Sequence, residues 1–442
     1  MTLLVRDCTV LTLDGDFRVL PHHDVLIDGD RIAAIVPTGT ALAAARVLDA
    51  RGLYLLPGLV NTHTHVGAAF FRGTTGAMEL FRWLEYGWFY IRRMSAEDVY
   101  WSALHACLEM IKAGVTTFCD MYFDEHEVAR AVEGSGLRAC LSEAIMEPAP
   151  RMEARAPVEA QIERAVDLHR RWDGASNGRI RIFLGPHSLY LCSRPTIERL
   201  LAVARSPVHI HLAETRREMD EARQQWGRTP PERLADLGVL ERHLVAAHCV
   251  HLTASDIELL DRPTVGVAHS PASNLKLQSG RAPVEALVGR RLAVGLGSDG
   301  CGSNDVIDIL KDAYLAAILH PWREEQRAAH TALAMATRDG ARALGMEREA
   351  GTIEVGRKAD VILVSLDEAR TTPVHDPHLA LVYTARGGDV VTTIVDGRVL
   401  MENRRVLTLD ETEILAQARE RAARIFAECH PAWPDAARRV RL

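Results

Sequence analysis

Along the middle of the chain, short apolar runs recur and most end in polar, reactive residues. Eight can be counted: 55–65 (LLPGLVNTHTH), 114–121 (GVTTFCDM), 138–145 (RACLSEAI), 181–188 (RIFLGPHS), 208–214 (VHIHLAE), 244–250 (LVAAHCV), 265–271 (VGVAHSP) and 293–300 (AVGLGSDG). Near-continuous apolar runs, separated by segments long enough for helices, mark strands of a parallel sheet buried on both faces. One intervening segment carries clear helix signals: Ser95 can N-cap it with Asp98 three residues on, and Gly114 stands just past its end. Eight such units predict an α/β fold, a (β/α)8 TIM-like barrel. The two chain ends read differently. "TVLTLDGD" and "DVLIDGDRIAAIVP" near the start, and "GTIEVGRKADVILVSL" and "VVTTIVDGRVLMENRRVLTL" near the end, are β-rich, and Asp-Gly turn signals recur among them. They predict a small β-sandwich formed by the N- and C-terminal segments, residues 1–56 plus 351–442, with a C-terminal helix in "LDETEILAQARERAARIFAECH". The barrel then occupies 57–350.

In a barrel all strand C-termini lie on one face, where active sites form. That face would gather His63, His65, Asp120, Glu143, His187, His211, Glu214, His248, His269 and Asp299. His63 and His65, at i and i+2, point to the same side of a strand. "HIHLAET" offers a choice between His209 and His211, and His211 is nearer the strand end. Each residue alone reads as readily as a strand-end or turn residue. Together His63, His65, His211 and Asp299 make a three-nitrogen, one-oxygen set suited to Zn2+ or Fe2+. A bound metal lowers the pKa of water, and some group must then carry that proton to the leaving group. Glu214, three residues beyond His211, is placed for that shuttle. His248 can polarise the water.

Composition narrows the class without changing the fold. The 442 residues are 48% hydrophobic and 25% charged, with net charge −7. A mildly acidic chain argues against a nucleic-acid or anionic-membrane partner, where a basic footprint is expected. No apolar run approaches the roughly 18 residues of a membrane helix, and the N-terminus lacks a convincing signal-peptide pattern. Eight scattered cysteines without a CxxC pair fit reduced thiols in a cytoplasmic protein.

HTH after "PGLVN", then "PHS", "HLAE", "HC", "HSPASNLKLQSG" and "GSDG" in this order resemble the amidohydrolase superfamily. More narrowly they resemble its cytosine-deaminase-like branch, with the triazine hydrolases and the methylthioadenosine/S-adenosylhomocysteine deaminases. The resemblance spans nearly the whole chain. It implies a mononuclear site with His63, His65, His211 and Asp299 as ligands to one divalent metal, Zn2+ or alternatively Fe2+, and Glu214 and His248 as acid/base partners. The binuclear branches use a carboxylated lysine at the end of the fourth strand, where this chain has "FLGPHS". His187 matches a residue that contacts the substrate ring.

The resemblance further implies hydrolytic removal of ammonia from an aromatic N-heterocycle, a small-molecule purine, pyrimidine, pterin or triazine base or nucleoside. Alternatives at the same site are a nucleoside deaminase of the adenosine type, a triazine chlorohydrolase and a cyclic-amide hydrolase. Trp83 in "FRWLEYGW" is similar to a tryptophan lining the nucleoside pocket. Trp88 and Tyr90 nearby read equally well as loop packing. Two positions depart from the homocysteine-nucleoside enzymes: "YIRRM" (Ile91, Arg92, Arg93) lacks the expected acid, and Glu143 stands where an arginine is expected. Charge reversal there would repel a substrate carboxylate, and Glu143 is expected to face an amino or ring N–H group instead. The family also implies dimers or higher oligomers.

Overall fold

A computed structural model describes residues 2–149, 154–290, 292–322 and 325–429. The apolar runs of the middle all hold parallel strands: Leu59–His65, Val115–Tyr122, Arg138–Ile145, Ile180–Ile182 followed by Gly185–Pro186, Val208–Leu212, Leu244–His248, Val265–His269, and Ala293–Leu296 followed by Asp299–Gly300. They form two parallel sheets. In the first, Leu59–His65 lies between Val115–Tyr122 and Asp299–Gly300, and Arg138–Ile145 continues the far side. In the second, Val208–Leu212, Leu244–His248, Val265–His269 and Ala293–Leu296 follow in order. Every residue of Val115–Tyr122, Arg138–Ile145 and the first three strands of the second sheet is buried. Burial on both faces is why these segments read as continuous rather than alternating apolar runs. The sheets meet at both edges. Leu184 bridges to Val208 in parallel, and the His209 N–H donates to Leu184 O at 2.9 Å. At the other edge Thr62 Oγ1 donates to Leu296 O, also at 2.9 Å.

The run at 55–65 is corrected by the structure into two strands. Leu53–Pro57 belongs to the sheet of the chain ends, and Leu59–His65 to the first parallel sheet. The break falls at Gly58, whose N–H donates to Asp360 O at 2.9 Å. A Cβ there would lie 2.0 Å from Thr116 Oγ1, so the chain crosses between sheets at a residue with no side chain.

The chain ends share one nine-stranded, mostly antiparallel sheet. Thr2–Leu11 runs antiparallel to Val19–Asp28 and parallel to Leu53–Pro57, which pairs antiparallel with Val361–Ser365. Val5, Val25, Leu55 and Val361 share a core of its own. Arg138, 1% exposed, ties this sheet to the first parallel one. Its guanidinium donates to Asp360 at 2.8 and 3.2 Å and also reaches Asp396.

The helix announced by Ser95 runs over Ala96–Ala113 with a reciprocal Ser95/Asp98 capping box, and Gly114 closes it at φ 79°. Against it packs the C-terminal helix Glu411–Cys429, whose Arg421 and Arg424 donate to Asp98 at 2.9 and 2.6 Å. Residues 430–442 of the expected terminal unit lie outside the described residues.

Candidate active site

The strand ends bring His63, His65, His211, His248 and Asp299 together, with Glu214 beside them. His63 is fully buried, and His211, Glu214, His248 and Asp299 are at most 5% exposed. Three residues here, Ala213, His248 and Asp299, have φ of 51°, 72° and 56°. Side chains other than glycine rarely occupy that region, and such strain persists only where the surroundings impose it.

Hydrogen bonds fix how each imidazole presents itself. His65 Nδ1 donates to Met121 O at 2.6 Å, and His211 Nδ1 donates to His187 O at 2.8 Å. In both rings Nε2 is left as the lone-pair atom, and these two Nε2 atoms face each other at 3.3 Å. Two nitrogens at Zn–N distances of about 2.0–2.1 Å in tetrahedral geometry are spaced about this far apart. His63 Nδ1 meets His209 Nε2 at 2.8 Å, and His63 Nε2 has no hydrogen-bond partner. His209 is held in turn by Ser142 Oγ at 3.1 Å. It stands behind His63, whereas His211 Nε2 faces His65 Nε2.

Asp299 Oδ1 lies 3.1 Å from His65 Nε2 and 3.5 Å from His63 Nε2. Its other oxygen accepts from Ser273 Oγ and Ser303 Oγ. Burial opposes its ionisation, yet the two imidazoles hold its carboxyl well below the usual range. Burial drives His63 down to about 3. Burial opposes charge on His65 too, but Asp299 lifts it to about 9, so a cation that binds at Nε2 takes the place of a proton held between the two. One donor atom each from His63, His65 and Asp299 lie within 4.8 Å of one another, and the same holds for His63, His211 and His248. A buried nitrogen without a partner, lone pairs turned inward and one shared carboxylate fit a divalent cation.

Beside this cluster Glu214 Oε2 is 3.7 Å from His248 Nε2, and Glu214 Oε1 accepts from Ser279 Oγ at 3.1 Å. Burial raises the Glu214 carboxyl above its ordinary value, opposed by His248. His248 Nδ1 donates to Asn274 Oδ1 at 2.9 Å, which turns Nε2 toward Glu214. Gly297 permits the close packing behind: a Cβ there would meet that of His63 at 2.9 Å.

A cavity opens from the cluster, lined by His65, His211, Glu214, His248 and Asp299 and walled by apolar and aromatic side chains. His187 and Trp83 line it too. The His187 ring stacks on His211 with centroids 4.4 Å apart, and Trp83 Nε1 donates to Gly302 O at 3.3 Å. Glu143 does not line it. The structure corrects that expectation: the carboxylate is buried behind the wall, accepting from Arg164 Nε and the Glu125 N–H, each at 3.0 Å. The supporting residues Ser273, Asn274 and Ser279 lie within the "HSPASNLKLQSG" motif, but neither they nor Ser303 and His209 could be given roles from the sequence. Serine, asparagine and a second histidine carry no chemistry of their own until a ligand side chain stands beside them.

Residues 54–400 match the Amidohydrolase family, and the chain belongs to it. It is 40% identical over 434 residues to a 5-methylthioadenosine/S-adenosylhomocysteine deaminase of Caldanaerobacter subterraneus, covering 96% of this chain and 99% of the relative. Among solved structures it is similar to an adenosine deaminase from Xanthomonas campestris with bound zinc (TM-score 0.90, 31% identity, 96% of this chain and 98% of the other). It is also similar to an atrazine chlorohydrolase from Arthrobacter aurescens complexed with zinc (TM-score 0.87, 27% identity, 95% and 100%).

Proposed function

We propose that this amidohydrolase is a metal-dependent aminohydrolase, releasing ammonia from an aromatic N-heterocycle or its nucleoside. The observation that carries the reading is the meeting of three inward-facing imidazoles and Asp299 with the Glu214–His248 pair, at the inner end of an aromatic-walled cavity. The deaminase relatives support the leaving group, and the zinc-bound neighbours support the metal.

His63, His65, His211 and Asp299 would hold one Zn2+, with Fe2+ the alternative; when bound, the cation supplies the Lewis acidity that makes water nucleophilic near neutral pH. Glu214 would accept one proton of the attacking water and give it to a ring nitrogen, then carry the second, from the added hydroxyl, to the departing amine, so that the C–N bond breaks, ammonia leaves and a ring carbonyl remains. Burial suits it to this work, because a raised carboxyl pKa holds a transferable proton closer to neutrality. His248, oriented by Asn274, directs its Nε2 at the same water. His187 and Trp83 position the ring.

In the architecture we propose, the two parallel sheets close into a (β/α)8 barrel over 57–350. The Leu184–Val208 bridge and the Thr62–Leu296 hydrogen bond support closure. The described parts of the two ends, residues 2–56 and 351–429, form the accompanying sandwich unit with its C-terminal helix, a reading supported by their shared sheet and core. No described helix is long and apolar enough to cross a membrane. All eight cysteines are free and buried, which supports a reducing, cytoplasmic setting. We read the active unit as a homo-oligomer, as the family resemblance implies.

Metal analysis of the purified protein is expected to return about one Zn or Fe per chain. No metal, with no activity after Zn2+ is added back, contradicts the reading. Ammonia release with loss of ring absorbance, rather than chloride release, separates it from the chlorohydrolase alternative.

A further inference from the structure

We propose that Gly302 is a positioning residue: because it carries no side chain, the Trp83 indole can lie against it, and this seat keeps Trp83 clear of the space that the substrate ring takes. The proposal rests on the aminohydrolase reading of the same site and names what sets one wall of it.

Trp83, on the helix Leu80–Ile91, stands between two spaces. On one side is the active-site cavity, and on the other a smaller pocket lined by residues such as Thr74, Thr75, Tyr86 and Tyr90. Phe71, Trp83 and Gly87 line both, whereas Gly302 lines the smaller of the two alone. A Cβ built on Gly302 would lie 2.8 Å from Trp83 Cζ2. Packed carbon atoms prefer roughly 3.5–4.0 Å. The backbone does not itself call for glycine here, since Gly302 is not at positive φ. The missing side chain therefore serves the close approach of the indole.

Which partner would yield to a side chain is decided by how the loop is held. Just before Gly302, Asp299–Gly300 pairs with the strand Leu59–His65. Just after it, Ser303 Oγ donates to Asp299 Oδ2 at 2.9 Å, and Asn304 Nδ2 donates to Ser298 O at 2.7 Å. Lys276 Nζ donates to Gly302 O at 3.1 Å and to Asp305 Oδ2 at 2.6 Å, while Asp305 Oδ1 accepts from the Gly73 N–H at 3.0 Å. The loop is thus pinned on both sides. Trp83 Nε1 donates to Gly302 O at 3.3 Å, the long end of the hydrogen-bond range. A methyl group at position 302 would move the indole rather than the loop. It would drive the ring away from Gly302, toward the cavity, and break that bond.

The test is a double-mutant cycle of Gly302→Ala and Trp83→Phe, read by ammonia release, with the metal content of each protein measured. The substrate is the ring that turns over in a screen of purines, pyrimidines, pterins, triazines and their nucleosides, adenosine first. In the wild-type background Gly302→Ala should raise KM roughly three- to tenfold, the worth of one neutral hydrogen bond, with kcat and metal unchanged. Phenylalanine lacks the outer ring edge that meets the added methyl. In Trp83→Phe the same substitution should therefore change KM by less than about twofold. No rise in KM in the wild-type background overturns the proposal. So does an equal rise in both backgrounds, a fall in kcat at constant KM, or a loss of metal. If Gly302→Ala alone does not fold, a folded double variant supports the seat, and a double variant that also fails to fold overturns it. Urea unfolding separates this inference from the function, because it needs no substrate. Gly302→Ala should lower stability in the wild-type background and not in Trp83→Phe, and an equal loss in both overturns the seat. Ammonia release from no ring at all instead fails the aminohydrolase reading, and the positioning role with it.

Discussion

His209 shows how much of an active site lies one layer behind its ligands. It is fully buried, and its Nε2 faces His63 Nδ1 at 2.8 Å, so it sets which nitrogen of His63 turns inward. Partners of this kind typically contribute 10- to 100-fold in metal affinity. His209→Phe is therefore expected to weaken zinc retention by roughly that factor in a chelator competition, with His209→Gln recovering part of it; equal retention in all three proteins would remove His209 from the site. Glu143 makes the opposite case. With both oxygens occupied by Arg164 and Glu125, it has no path to a substrate. Glu143→Gln should leave kcat/KM unchanged while lowering the unfolding temperature, and a selective rise in KM would return Glu143 to recognition. The sequence makes the ligand set legible because histidines and an acid at strand ends are rare in combination. It misplaces Glu143 because a strand-end position alone does not say whether a neighbouring arginine already holds the carboxylate.

At the scale of elements, the apolar runs locate all eight segments of parallel sheet. The break at Gly58 escapes the pattern, since the reason for it, Thr116 pressed against the glycine, is 58 residues away in sequence. The helix Ala96–Ala113 was fully legible, because a capping box and a left-handed glycine are local signals. What the sequence could not show is that Asp98 also anchors the C-terminal helix. Burial works against its charge, but Arg424, the cap and Arg421 hold the carboxyl at about 2. A depressed native pKa contributes stability above the unfolded value and loses it as pH falls through the native one. Asp98→Asn should thus destabilise the protein by about 2 kcal/mol near neutrality. In urea unfolding the deficit should shrink as pH falls below about 4. A deficit that does not change down to pH 3 would mean that Asp98 acts by shape and not by charge.

For the molecule as a whole, the two chain ends meet in one sheet, and Arg138 locks that sheet to the parallel strands that carry the site. The consequence is convergence: residues from His63 to Asp299, spread over most of the chain, arrive within hydrogen-bonding reach of one centre. Glu214 is where that convergence becomes chemistry. The most direct test is ammonia release from a turned-over heterocycle by wild-type protein and Glu214→Gln, each with its metal content measured. Equal metal and a rate reduced by roughly 10²–10⁴-fold are expected. An undiminished rate from fully metal-loaded Glu214→Gln would show that Glu214 does not carry the proton.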